Sequence, residues 1–96
     1  MAKMIFRGPQ KSLMVLHATQ SSVIQKNADY KAAFDKGEIT LLWTSDKEFV
    51  LETSVPALAD QMRKDYGVGV GIVGRLNAAR KKAQLRSIGV KVELIE

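Results

Sequence analysis

Cations are the residues of this chain with the most chemistry to offer. Arg75, Lys82 and Arg86 stand at i, i+7 and i+11, the spacing that lines one flank of an α-helix, and Arg80 and Lys81 thicken the row, with Lys81 expected to point further out. Arginine presents a planar fork of donors that matches phosphate oxygens. A row of this kind therefore suits a polyanion, and roughly three or four phosphate contacts would make log affinity fall with log salt at a slope of about −3 on duplex DNA. The competing reading is a solvated face that keeps the chain soluble, or one that pairs with the acids of a partner subunit.

Other chemistry finds few residues to work with. There is no cysteine, and His17 is the only imidazole, so thiol, zinc and iron–sulfur chemistry lose their usual ligands. A serine nucleophile would lack a second positioned base, and no nucleophile-elbow motif occurs. Glu48 and Glu52 are read as surface acids of a strand rather than a general acid–base pair. The stretch Gly69-x-Gly71-x-x-Gly74 has the spacing of a dinucleotide fingerprint. It follows an expected helix rather than a first strand, and the acid at the right distance, Glu93, leaves no chain to complete such a fold. The expectation is a binding protein, not an enzyme, with no cofactor and no metal.

The charge is unevenly spread. The chain has 96 residues and a formal net charge of +5. Residues 1–62 hold seven bases and seven acids, whereas residues 63–96 hold eight bases and three acids, so all the excess lies in the last third. Between Arg63 and Lys91 the only acid is Asp65. Such asymmetry bears on partners rather than on fold. With 46% hydrophobic and 26% charged residues the composition is that of an ordinary globular domain, and the length predicts one domain spanning 1–96. The apolar run in MAKMIFRGPQ is too short for a signal-peptide core and nothing approaches a membrane span, so a cytoplasmic protein without membrane contact is expected.

The elements that must position the cations follow from pattern. Met4-Ile5-Phe6 is a short apolar piece stopped by Gly8-Pro9, and Ser12 to Ala18 is compact and apolar enough to suggest a buried strand. Ser22-x-x-Gln25 has capping-box spacing and predicts a helix from about Val23 to Lys36, with Val23, Tyr30 and Phe34 inward and Gly37 ending it. Glu38 to Thr44 and Lys47 to Thr53 read as a strand pair. A three-residue loop there pairs Trp43 with Phe49 and Leu41 with Leu51 on one apolar face, making both aromatics core. Ser54-Val-Pro56 opens a helix to about Asp65, with Val55, Leu58, Ala59 and Met62 buried.

At Gly67 to Ile72 the reading forks. Strict alternation of glycine and an aliphatic residue fits a strand, while a turn over Gly67 to about Gly69 followed by a helix from near Val70 fits the basic stretch that comes next; the helix is preferred. That helix would bury Ile72, Val73, Leu76, Ala79 and Ala83, be capped by Gly89, and be followed by a strand over Val90 to Ile95.

Leu58 to Arg80, LADQMRKDYGVGVGIVGRLNAAR, resembles the helix-turn-helix of bacterial DNA-binding proteins. The features that carry the likeness are a first helix ending before Gly67, the Gly67-Val68 pair, and Val73 and Leu76 as inward residues of a second helix that also presents Arg75 and Asn77. The resemblance implies that the second helix enters the major groove, and paired half-sites would call for a homodimer. The sequence departs from the pattern at Arg63, where a small residue is usual, and at Gly69, Val70 and Gly71, where base-reading side chains would stand.

The reading as a whole is an α+β domain with a small, mostly antiparallel sheet and two to three helices; the resemblance makes it a decorated helix-turn-helix with the last strand as a wing. The expected function is nucleic-acid binding, DNA before RNA, with phosphates held by Arg63, Lys64, Arg75, Arg80, Lys81, Lys82 and Arg86, and with modest base readout to which Asn77 contributes. The alternative is a stand-alone interaction or inhibitor protein, of the kind a phage or plasmid encodes, that docks its basic face on an acidic protein.

Overall fold

A computed structural model describes residues 1–66 and 71–95, with the side chains of 71–75 and 77 outside the description. Side-chain alternation builds the sheet. In β1 (Ala2–Arg7) every second residue, Ala2, Met4 and Phe6, is buried, and β3 (Glu48–Thr53) repeats this with Phe49, Leu51 and Thr53. β2 (Ile39–Ser45) and β4 (Lys91–Ile95) complete a four-stranded antiparallel sheet of order β2-β3-β1-β4. The register sets Met4 beside Leu51 and Leu94, and Phe6 beside Phe49 and Val92. The Phe6 and Phe49 rings stack at 4.6 Å in the centre of that face.

β1 and β2 both run antiparallel to β3, and β3 and β4 both run antiparallel to β1. The chain thus makes two interlocked split β-α-β units. Each crossover consists of two helices: α1 (Gln10–Lys26) and α2 (Ala28–Asp35) in the first, α3 (Pro56–Tyr66) and α4 (Gly71–Ser87) in the second. All four helices sit on the Met4–Phe6 face, where Leu13, Ile24, Ala33, Leu58, Met62 and Leu85 join one core with the sheet. Among the described residues no helix is long and apolar enough to cross a membrane.

Several expectations hold. Trp43 pairs with Phe49 and Leu41 with Leu51 as expected, although the loop is the two residues Asp46 and Lys47 rather than three, and a bulge between Trp43 and Ser45 takes up the odd residue. Gly37 and Gly89 end α2 and α4 with φ of 79° and 81°. At both ends the amide beyond the glycine bonds five residues back, Glu38 to the Ala33 carbonyl and Val90 to that of Leu85, while the glycine amide bonds the Phe34 or Arg86 carbonyl. This is the Schellman arrangement, and glycine is the residue that reaches its left-handed backbone without strain.

Others are corrected. Ser12 to Ala18 is not a strand but the first half of α1, and the strand lies earlier, over Ala2–Arg7. Leu13, Leu16, Gln20 and Ile24 face inward at helical spacing, while Met14 and Val15 are exposed and hide that period in the sequence. Ser22 and Gln25 lie inside α1 and form no capping box; the helix start is at Asn27, whose Oδ1 accepts from the Asp29 and Tyr30 amides at 3.0 and 3.1 Å. Val23 and Phe34 are exposed, and Ile24 and Ala33 take the inward places. The helices therefore number four among the described residues, rather than two to three. α3 begins at Pro56, so Val55 rather than Ser54 stands at its N-cap, and Thr53 Oγ1 accepts the Val55 amide at 2.9 Å in the turn before it. Trp43 points to the core side but stands at the sheet edge, 40% exposed and stacked on His17 at 5.2 Å.

Candidate nucleic-acid interface

The basic segment is a helix from Gly71 onward, so the strand reading fails for Gly71 and Ile72, while Gly67, Val68, Gly69 and Val70 lie outside the described residues. The buried side of α4 differs from the expected one. Ala78 and Leu85 are buried and Lys81 half-buried between them, whereas Ala79 and Ala83 are exposed and Leu76 is 61% exposed. Ile72 and Val73 carry side chains outside the description. The apolar residues at 76, 79 and 83 do share one side of the wheel, but it is the outer side. Packing follows the stripe 78, 81 and 85, which meets α3 and β4.

That rotation sorts the cations. Lys81, expected outward, instead reaches across to α3, with its ammonium 3.1 Å from the Asp65 carboxylate and 6.0 Å from the centre of the Tyr66 ring. Burial, and secondarily the Asp65 charge, push the Tyr66 phenol above its ordinary range. Arg63 is held by Asp60 at 2.7 Å one turn earlier on α3, while Lys64 is exposed. The side chains of Arg75 and Asn77 lie outside the description. Arg80, Lys82 and Arg86 are exposed, and among the described residues none of the three has an acidic partner.

Lys82 and Arg86 converge on an open cleft of about 500 Å³ between α4 and β4, over a floor of Ala78, Val90 and Val92. A third cation, Lys91, lines the same cleft and was not foreseen as a site residue. The turn at Gly89 is what brings it there: because the Val90 amide bonds back to Leu85, the chain reverses tightly and the first residue of β4 lands beside the last turn of α4. Among the described residues the lining contains no acid. Alternation along β4 sends Lys91 to the same sheet face as Glu93, which Arg7 engages at 3.3 Å, so Lys91 borders the cleft from the edge strand whereas Lys82 and Arg86 stand on its helix wall. Arg80 stands roughly a third of a turn round α4 from Arg86, so it extends the basic surface over the outer helix face rather than into the cleft. β4 is an edge strand, and its outer edge runs along this cleft.

No protein-family model, curated protein or solved structure matches this chain. The arrangement must be read on its own chemistry. Three cations around one concave surface favour an anion that offers several charges at fixed spacing, since each added phosphate contact releases further counterions.

Proposed function

We propose that this is a nucleic-acid-binding protein, duplex DNA before RNA, which holds a phosphate backbone against the α4–β4 surface. The observation that carries the reading is that Lys82, Arg86 and Lys91 line one cleft with, among the described residues, no acid in its lining. Arg80 and, on α3, Lys64 add outlying charge. In the helix-turn-helix form of this reading α4 is the groove-facing helix. Its outer side offers Leu76, Ala79 and Ala83 with Arg80, so contacts to phosphates outweigh contacts to base edges.

An acidic protein segment is the second reading. The unpaired outer edge of β4 and the apolar floor of Val90 and Val92 favour it, because an extended peptide could add as a strand and set its acids on the same three cations.

Fluorescence anisotropy with random-sequence duplex DNA, single-stranded DNA and RNA, each across a salt series, tests the proposal. Binding with a slope of about −3 on duplex that collapses in Lys82→Ala/Arg86→Ala/Lys91→Ala supports it. Absence of binding to any nucleic acid at low salt sinks it, and moves the cleft to the acidic-peptide reading.

A further inference from the structure

The sheet has a second face that none of the four helices covers. Alternation sends Ile5 of β1, Val50 of β3 and Leu42 of β2 to this side, and the register places the three in one row across neighbouring strands. Leu42 is 61% exposed and Ile95, on β4, 42%. Charges flank the row: Lys3 and Glu52 approach to 3.8 Å on one side, and Arg7 lies 2.6 Å from Glu48 and 3.3 Å from Glu93 on the other. With Lys91, which the register sets beside Arg7 on this face, the three bases and three acids sum to zero, on a chain whose total is +5. The face is thus an apolar strip between neutralised ion pairs, turned away from the helix wall of the basic cleft.

We infer that this face is the contact between two copies of the chain. A second copy is the occupant its charges fit. With a two-fold axis parallel to the strands and running between β1 and β3, β1 of one copy lies over β3 of the other. Ile5 then meets Val50 of the second copy, Lys3 meets Glu52, and Arg7 meets Glu48, so on the two central strands apolar meets apolar and each charge its opposite, while on the outer strands Leu42 falls over Glu93 and Ile95 over Thr40. A strongly charged partner of either sign gains little from a face whose charges are already paired. A copy keeps every pair and adds the same pairs across the contact, and sheets stack in this way at about 10 Å. Four strands of five to seven residues span roughly 20 by 17 Å, so two faces bury on the order of 1,000 Å², the lower end of specific interfaces. A dimer with Kd on the order of 10 µM is expected. Stacked with reversed strand order, the two β4 edges, and with them the two basic clefts, fall at opposite ends of the pair. The inference does not depend on what those clefts bind.

Sedimentation velocity on the full chain over a concentration series tests this. The expected result is a shift from the 10.6 kDa monomer to twice that mass. Val50→Lys and Leu42→Glu should each weaken association by about tenfold or more, the second because it sets a carboxylate over Glu93 of the second copy, while Val15→Lys, on the exposed side of α1, should leave it unchanged. Leu42 lies exposed on an edge strand, so its variant folds even if Val50→Lys does not, and circular dichroism checks both. Lys3→Glu and Glu52→Lys should each weaken the dimer, and the double exchange should restore it. A monomer at every concentration, or a dimer indifferent to both Val50→Lys and Leu42→Glu, overturns the inference.

Discussion

The Lys81 ammonium lies 3.1 Å from the Asp65 carboxylate, so one of the five cations of α4 joins α4 to α3 instead of facing a partner. Its neighbour Lys82, one residue on, lines the open cleft. Adjacent lysines in the sequence therefore have separate duties.

The two should be separable by substitution. Lys82→Ala is expected to reduce the salt slope of nucleic-acid binding by about 1 and the affinity several-fold, with melting unchanged. Lys81→Ala should leave the slope alone and lower stability by at most about 1 kcal/mol, since the pair is partly exposed and screened. Anisotropy titrations and thermal melts of both variants decide it; equal slopes for the two would contradict this division.

Gly8 is fixed by space rather than by backbone angle. A Cβ there would meet the Gly89 carbonyl oxygen at 2.7 Å and the Val90 Cα at 3.1 Å, both backbone atoms of the turn that feeds β4. Gly8→Ala should cost about 1–3 kcal/mol, because the β1–α1 junction and that turn must move apart. For a domain of this size each kcal/mol lowers the melting temperature by roughly 4–8 °C. A melt within a degree of the parent would show that the two segments separate freely.

Tyr66 supplies a pH test. Burial raises its phenol pKa in the folded state, so the folded chain holds the proton at pH values where the unfolded chain releases it. The resulting contribution to stability is intact below the unfolded value, near pH 10, and is lost as the pH rises through the folded value. Thermal melts between about pH 9 and 11 should fall more steeply for the parent than for Tyr66→Phe. Parallel curves would mean that the phenol is as well solvated in the fold as in the unfolded chain.

Local patterns determined much of this molecule before any contact was known. Alternation was enough for the Trp43–Phe49 and Leu41–Leu51 pairing, because a slip of one residue would send every apolar side chain to water. Gly37 and Gly89 marked helix ends because few other residues accept positive φ. The sign of the last third is plain from composition. Tertiary structure decided which way the elements face and where they meet. Periodicity identifies a helix only when its outer side is polar; Met14 and Val15 on α1, and Leu76, Ala79 and Ala83 on α4, break that condition, so α1 looked like a strand and α4 was expected to pack by the wrong side. Likewise Lys81 turns inward only because α3 brings Asp65 to it, and Lys91 borders the cleft only because β4 pairs with β1 after the turn at Gly89. Those outcomes depend on contacts between residues far apart in the chain, which local spacing does not encode.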